Sequence, residues 1–344
     1  MIKDYLNRAK RSKEGNVLLA NFAYLSMLQI ASYLFPLLTM PYLARVIGVE
    51  GFGKIAFAAA VMIWMQTIAD WGFNYTATRD VAKNRANLQL VSEIFSRVLY
   101  ARILLMFLSF AILFVLILTI PKFSENRDVL LVSFLMIPGH IIFPDWFFQA
   151  MERMKFITIA NILSKLTFTV AVFVFIHNRE DYILQPLFVS LGFLVAGIFS
   201  LYLIVYKWGI KLIAPSFSDT ILTIKKSSNV FVNTIMPNLY NSLSVVLLGF
   251  CGGSVANGKF DAGVKLVNIC QSFISIVTRT FFPYLSRKTN NHYLYAKINL
   301  VTSSIMAILL FLLSPVLIKL LFTEDFYSSI VVMQICSFSL IFLT

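Results

Sequence analysis

Charge is the scarcest property of this 344-residue sequence, because only 13% of its residues are Asp, Glu, Lys or Arg. That share is about half of what a soluble globular domain carries. Hydrophobic residues instead make up 59% of the chain, and the mean hydropathy is +0.80. Such a composition lacks the polar surface that a soluble protein of this size needs. We therefore predict an all-α, polytopic membrane protein whose exterior is largely solvated by lipid.

Cysteine and histidine are also scarce, with three of each. The cysteines lie in or beside apolar stretches, and neither residue type shows ligand-like spacing, so we expect no disulfide framework, metal site or cofactor. Acidic residues number 16 against 29 basic ones, which gives a net charge of +13. In a soluble protein this excess would suggest a nucleic-acid partner. In a membrane protein it indicates basic cytoplasmic loops instead, and we expect no nucleic-acid partner.

Long apolar stretches are what the sequence has in abundance. A helix needs about 20 apolar residues to cross a bilayer core of roughly 30 Å. Ten stretches meet that length: 17–43, 54–76, 98–120, 129–150, 156–177, 182–206, 228–250, 256–285, 294–322 and 327–344. The first is too long for the apolar region of a signal peptide and is predicted to remain as a spanning helix.

The distribution of basic residues predicts the orientation. If the N-terminus is cytoplasmic, the inner segments carry 19 Lys and Arg residues and the outer segments carry 6. This bias follows the positive-inside rule, so we predict a cytoplasmic N-terminus. The inner connection at residues 77–97 has basic residues opposite an apolar face, which predicts an amphipathic helix on the membrane surface.

A faint internal repeat suggests two halves. Gly48, Gly53 and Lys54 recur as Gly253, Gly258 and Lys259, at an offset of 205 residues. Parallel repeats of this kind occur in transporters. We predict an N-terminal six-helix bundle at residues 1–206, a cytoplasmic linker at 207–227 and a C-terminal bundle at 228–344. Ten spans leave the second bundle two helices short, so we expect it to be incomplete in this chain.

Ionisable residues inside the predicted spans point to function, since a charge at mid-bilayer costs about 2.5–3.5 kcal/mol on insertion scales and usually faces a bundle interior or a wet cavity. The candidates are Asp70, Asp145, Lys165, Asp261, Lys265 and Arg279. Structural roles stay open for most of them. Asp70 and Asp145 are compatible with an interfacial position, and Asp261 can pair with Lys265 four residues later.

Amide side chains form a second polar group, on the seventh stretch. Asn233, Asn238 and Asn241 share one broad helical face. Such a face either bonds to a polar substrate or to neighbouring helices. Close to Asp70, at the inner end of the second stretch, Asn74 and Arg79 are predicted to lie at the inner mouth of a polar path.

Three segments near the ends of the first, second and fourth apolar stretches share a pattern with a known family: residues 36–53, 70–80 and 144–152. They resemble the signature of the first helix, the end of the second helix and the fourth helix of O-antigen flippases of the Wzx type. Residues 258–265 resemble the eighth more loosely, because a Tyr near Phe260 and a Glu near Gly263 are usual there. The resemblance implies a member of the multidrug/oligosaccharidyl-lipid/polysaccharide exporter superfamily, which usually has twelve helices in two bundles.

The function that the resemblance implies is transport, without enzyme activity. Such proteins move an undecaprenyl-pyrophosphate-linked oligosaccharide across the bacterial inner (cytoplasmic) membrane by alternating access, with an ion gradient as the expected driving force. The implied partners are the lipid-linked oligosaccharide, membrane lipid, an O-antigen polymerase and a chain-length regulator. The residues expected to bind substrate are Lys165, Lys265, Arg279, Asn238 and Asn241. The residues expected to couple transport to the gradient are Asp70, Asp145 and Asp261.

Two other functions remain open at this level. A membrane-embedded O-antigen polymerase or ligase would act on the same lipid-linked sugar, but it needs catalytic groups at the outer face, where the predicted loops are short. A cation-coupled drug exporter of the same superfamily would carry a smaller ligand and would need fewer cationic residues in its cavity.

Overall fold

The structure is a computed structural model that describes the backbone of residues 13–286 and 292–342. Within these helices the side chains of residues 13–20, 22, 273, 275–286, 292–296 and 298 lie outside the description. Every regular element of the described residues is helical. The α-helices, numbered in chain order, are α1 Lys13–Val46, α2 Gly48–Asp70, α3 Phe73–Lys83, α4 Leu88–Thr119, α5 Pro121–Glu125, α6 Arg127–Phe134, α7 Met136–Ile142, α8 Asp145–Ala150, α9 Met154–Phe175, α10 Leu184–Tyr202, α11 Phe217–Cys251, α12 Gly253–Ser286, α13 His292–Leu321, α14 Ser329–Ser337 and α15 Ser339–Phe342.

Seven helical segments of the described residues are long and apolar enough to cross a membrane. They are Ala23–Lys83, Leu88–Thr119, Arg127–Ala150, Met154–Phe175, Arg179–Lys207, Phe217–Cys251 and Asn299–Leu321. The chain is therefore a multi-pass membrane protein. The first segment has 61 residues, about 90 Å of helix at 1.5 Å per residue, and so contains two of the predicted stretches. The predicted total of ten and the cytoplasmic N-terminus stay predictions.

The long first segment is divided by two breaks at glycine. Gly48, with φ of +68°, starts α2, and Trp71 and Gly72, with φ of +45° and +76°, separate α2 from α3. Gly72 is constrained twice over, because a Cβ there would also lie 2.8 Å from Cγ1 of Val230. A positive φ is accessible to glycine at little cost, so these breaks follow directly from the sequence.

The chain divides into two compact units, which are described separately. The N-terminal unit contains the described residues up to Thr39, Ala58–His177 and Asp181–Val246. The C-terminal unit contains Met40–Phe57, Asn178–Glu180 and the described residues from Leu247 onward. The division predicted at residues 206 and 227 stays a prediction.

An aromatic core packs around α8 in the N-terminal unit. Trp146, Phe147 and Phe148 of α8 are buried, and the ring of Phe95 lies 5.2 Å from that of Phe147. The segment that resembles the fourth flippase helix therefore owes much of its aromatic character to packing. Burial of such large rings contributes roughly 1.5–3 kcal/mol each.

The prediction of one amphipathic surface helix at residues 77–97 is wrong, because these residues are divided between α3 and α4. α3 ends at Lys83, and its apolar residues Phe73, Ala77 and Val81 are buried in the aromatic core rather than facing lipid. Residues from Leu88 onward already belong to α4, whose Asn87 side chain caps the first turn by accepting from the Leu90 N–H at 3.1 Å. Protein, rather than lipid, therefore covers the apolar face of α3.

Small residues let three helices of the N-terminal unit approach closely. A Cβ at Gly192 of α10 would lie 2.6 Å from the carbonyl oxygen of Ser164 in α9. A Cβ at Gly139 of α7 would lie 2.9 Å from the amide nitrogen of Leu194. Small residues at helix contacts are typical of membrane bundles, where dispersion replaces the hydrophobic effect between helices.

The repeated glycines meet each other in the C-terminal unit. A Cβ at Gly53 would lie 1.7 Å from the carbonyl oxygen of Ser254, and one at Gly258 would lie 2.2 Å from that of Val49. Val49 and Ser254 are themselves related by the repeat offset, so each copy contacts the other through equivalent positions. The repeat thus has a physical reason, because backbone-to-backbone contact between the starts of α2 and α12 leaves no room for a side chain.

Candidate functional site

A polar cavity of about 320 Å³ lies inside the N-terminal unit, between α2–α3 and α11. This volume is at the lower end of small-molecule sites, which span about 300–1,000 Å³. The lining side chains are mostly amides and hydroxyls: Thr67, Asp70, Gly72, Asn74, Tyr75, Asn233, Thr234, Pro237 and Asn238. Among these nine residues, Asp70 supplies the one carboxylate, and none is a lysine or arginine.

Polar contacts connect α11 to α2 on either side of the cavity. Asn238 donates from Nδ2 to Oγ1 of Thr67 at 2.8 Å, and the Trp64 indole donates to Oγ of Ser242 at 2.7 Å. The indole of Trp71, just after α2, stacks on Phe231 of α11, with ring centroids 3.8 Å apart and planes inclined by 7°. These contacts fix the two walls, so the cavity is a defined feature of the unit.

Asp70 is held in the cavity wall by two side chains from other helices. Its Oδ1 accepts from the Nη2 of Arg102 in α4, and its Oδ2 lies 3.4 Å from Nε2 of His140 in α7. Arg102 is fully buried, whereas Asp70 is 14% exposed. A buried guanidinium requires a counter-charge, because desolvating an unpaired ion costs several kcal/mol. Asp70 therefore has a structural task, the neutralisation of Arg102, in addition to facing the cavity.

Several polar atoms at this site lack an internal partner. Oδ1 of Asn74 is buried and accepts no hydrogen bond from the described residues. Pro237 lies within α11 and has no N–H, so the backbone carbonyl of Asn233 has no helical donor. Both residues line the cavity. These two oxygens are unused acceptors beside the Asp70 carboxylate, which is already paired with Arg102.

The predicted residues are brought together only in part. Asp70, Asn74 and Asn238 line the same cavity. Asn241 is exposed on α11 but does not line it, and Arg79 is exposed and contacts the carboxylate of its neighbour Asp80 at 2.9 Å.

Two other predicted residues of the N-terminal unit lie away from the cavity lining. Asp145 begins α8, and its carboxylate accepts from the following backbone N–H of Trp146 at 2.8 Å. Lys165 is half-buried in α9. Local structure explains Asp145, because its carboxylate accepts a hydrogen bond at the start of its own helix. It does not explain why Lys165 is half-buried.

The C-terminal unit contains the predicted pair of α12. Lys265 forms an ion pair with Asp261 one turn earlier, and its ammonium lies 4.4 Å from the ring centroid of Phe52. The structure therefore contains the pairing of Asp261 with Lys265 that the sequence allows. This pairing does not exclude a role in substrate binding. The side chain of Arg279 lies outside the described residues, so its predicted role stays a prediction.

Arg102 and His140 were not selected from the sequence. Both lie inside predicted spans, at 98–120 and 129–150, and that was the available signal. Arg102 lies near the start of its span, where a basic residue is counted as an inner-side charge. His140 has no other histidine or cysteine near it in sequence and so does not indicate a metal site. Their common partner, Asp70, is 32 residues from Arg102 and 70 from His140.

The fold and the site together define a multi-pass α-helical membrane protein with a polar cavity among its helices. Residues 18–289 match the sequence family described as polysaccharide biosynthesis protein. The chain therefore belongs to that family, and the resemblance to O-antigen flippases is confirmed at this level.

Two curated relatives are similar over most of the chain. The protein named "Putative O-antigen transporter" from Escherichia coli (strain K12) is 31% identical over 281 residues, 82% of this chain. The protein of the same name from Shigella dysenteriae is 26% identical over 273 residues, 79% of this chain. These alignments span about two thirds of the relatives, 66% and 68% of their respective lengths. No solved structure matches the chain.

Proposed function

We propose that the chain translocates an undecaprenyl-pyrophosphate-linked O-antigen oligosaccharide across the bacterial inner membrane. The polar cavity carries the proposal, because membrane helices bury amides, hydroxyls and a carboxylate only where a partner or a polar path compensates their desolvation. Membership of the polysaccharide family and the names of the two relatives support the same cargo.

The pyrophosphate needs cationic partners, which this cavity does not offer. Lys165, Lys265 and Arg279 are proposed for that part of the substrate, with arginine best suited to phosphate oxygens. Lys165 is favoured among the described residues because it is half-buried without the nearby carboxylate that Lys265 has. Asn238 and Asn241 are proposed as partners of sugar hydroxyls.

Transport is proposed to proceed by alternating access and to be driven by an ion gradient through a carboxylate. Among the three proposed coupling residues, Asp70 is the one that lines the cavity. Asp145 and Asp261 have local partners on their own helices, which supports a structural role for them first. Membrane lipid, an O-antigen polymerase and a chain-length regulator are the proposed partners in the membrane.

The test is restoration of surface polysaccharide in a bacterium that lacks its own O-antigen transporter. The chain is expected to restore the polysaccharide, and Lys165→Ala and Arg279→Ala are expected to reduce it at least tenfold while still reaching the membrane. Lys155→Ala, an exposed lysine in the first turn of the same helix α9, is the matched control and is expected to export normally.

Two outcomes would count against the proposal. Failure of the unaltered chain to restore any polysaccharide, despite normal insertion, would contradict transport by this chain. Wild-type export by both Lys165→Ala and Arg279→Ala would contradict the cationic part of the site alone.

A further inference from the structure

We propose that the cavity between α2–α3 and α11 is a subsite for a neutral, hydroxyl-bearing sugar and not for the pyrophosphate of the substrate. The proposal rests on the proposed function for the idea that the sugar belongs to a lipid-linked substrate. The chemical class of the ligand is argued from the cavity itself.

The unused hydrogen-bonding capacity of the wall is mainly that of an acceptor. Oδ1 of Asn74 has no partner among the described residues, and the backbone carbonyl of Asn233 has no N–H of residue 237 to accept from. The Asp70 carboxylate already accepts from Arg102, but it lines the cavity and can accept a further donor there. Sugar hydroxyls donate and accept, so they can satisfy these atoms together with the amide and hydroxyl groups around them. Unpaired acceptors in a desolvated site are unfavourable, so a ligand that donates to them is favoured.

A pyrophosphate fits this wall poorly. Its ionised oxygens accept hydrogen bonds and do not donate them, and no lysine or arginine is among the nine lining residues. The nearest described cation of the cluster, Arg102, is fully buried and bonded to Asp70. A phosphate in the cavity would therefore face the carboxylate before it met the guanidinium.

A metal cation such as Na⁺ would suit a carboxylate and amide oxygens, but the charge balance opposes it. Arg102 already neutralises Asp70, so the wall has little net negative charge to hold a cation. The arrangement instead fixes the orientation of Asp70 while one edge of its carboxylate faces the cavity.

The shape of the cavity also agrees with a sugar ring. The side chain of Tyr75 is 65% exposed and, with Pro237, supplies apolar surface beside the polar wall. The C–H face of a sugar ring packs on such surface while its hydroxyls bond at the edge. A volume near 320 Å³ accommodates a short saccharide segment and not a whole oligosaccharide.

Asn74→Ala is the decisive variant. Because Oδ1 of Asn74 has no partner among the described residues, its removal breaks no internal hydrogen bond of that atom and is expected to leave folding intact. Loss of one ligand hydrogen bond is expected to weaken sugar binding about tenfold. Asn161→Ala is the matched control, because that amide donates to the carbonyl of Ile157 in its own helix α9, outside the cavity lining.

Binding is measured on the purified chain in detergent by the quenching of tryptophan fluorescence, to which Trp71 in the cavity wall region contributes. The probes are neutral mono- and disaccharides, sodium pyrophosphate and NaCl. The expected result is saturable quenching by at least one sugar, weakened about tenfold in Asn74→Ala and unchanged in Asn161→Ala, with no Asn74-dependent response to pyrophosphate or sodium.

The proposal is overturned if no sugar binds at tens of millimolar, or if pyrophosphate or sodium binds in an Asn74-dependent manner. The experiments distinguish a failure of this subsite proposal from a failure of the proposed transport function. Sugar binding that depends on Asn74 in a chain that restores no surface polysaccharide would contradict transport and leave the subsite standing. Restored polysaccharide with normal export by Asn74→Ala and no sugar binding would contradict the subsite and leave transport standing.

Discussion

The two units use a carboxylate and a cation in opposite ways. In the N-terminal unit, Asp70 receives Arg102 and His140 from helices distant in sequence, and the guanidinium is fully buried. In the C-terminal unit, Asp261 pairs with Lys265 of the same helix, and the lysine side chain is 39% exposed. A pair within one helix forms with the helix, whereas the first cluster exists only when three helices are assembled. The comparison therefore separates a tertiary polar cluster from a local one.

Arg102→Met should cause the largest loss of stability. It leaves the Asp70 carboxylate buried without its partner, and breaking a buried pair costs about 3–5 kcal/mol. We expect a strong fall in the amount of folded protein in the membrane and in the thermal midpoint of the purified chain. Combining it with Asp70→Asn should recover part of the loss, because the uncompensated charge is then removed.

Lys265→Met provides the contrast. A pair four residues apart on a helix contributes about 0.3–0.5 kcal/mol, and an exposed cation–π contact about 0.5–1 kcal/mol. The same thermal measurement should show a loss of about 1 kcal/mol. Equal losses for Arg102→Met and Lys265→Met would remove the distinction between the two clusters.

Gly53→Ala tests whether the close backbone contact between α2 and α12 stabilises the C-terminal unit. The new Cβ would lie 1.7 Å from the carbonyl oxygen of Ser254, so the backbone of α2 or α12 must move. Overpacking of this kind costs about 3 kcal/mol, the upper end of its usual range. The expected result is a lower thermal midpoint, with a similar effect from Gly258→Ala at the equivalent position of the repeat.

Gly48→Ala is the control for backbone strain in that experiment. Gly48 has φ of +68° but no atom within 4 Å of the added Cβ, so the substitution introduces strain without crowding. Its cost should be about 1 kcal/mol. If Gly53→Ala is no more harmful than Gly48→Ala, the close contact between the two copies of the repeat does not stabilise the unit.

The sequence was informative about faces and depths but not about partners. Hydropathy located the apolar helices, and helical spacing placed Asn238 on a polar face of α11. The structure shows that this face lines the same cavity as Asp70. The same spacing could not show that protein, and not lipid, covers Val81 and its neighbours. Arg102 could not be identified as a buried partner of Asp70, because a positive charge near the end of a span is also what the positive-inside rule predicts. Its pairing depends on how α4 packs, which periodicity does not encode.

The smallest predicted effect concerns Glu152, in the short connection between α8 and α9. Arg85 donates to its carboxylate at 2.8 Å, and this hydrogen bond is the main cause that holds the pKa of Glu152 below its ordinary value of 4.5. A carboxyl group with a lowered pKa stabilises the fold above its unfolded pKa, and that contribution is lost as the pH falls through the folded pKa. Because Glu152 is 53% exposed, solvent screening limits the contribution to less than about 0.5 kcal/mol.

Arg85→Gln should therefore lower the thermal midpoint slightly at pH 6, and the gap to the unaltered chain should close as the pH falls below 4.5. Lys83→Gln removes the same charge from the end of α3 and serves as the control, with a gap that should not follow this titration. A gap for Arg85→Gln that widens in acid would have the wrong sign and would contradict the pairing. The exposed pair of Arg85 and Glu152 would then add nothing to the stability of the N-terminal unit, in contrast to the buried pair of Arg102 and Asp70.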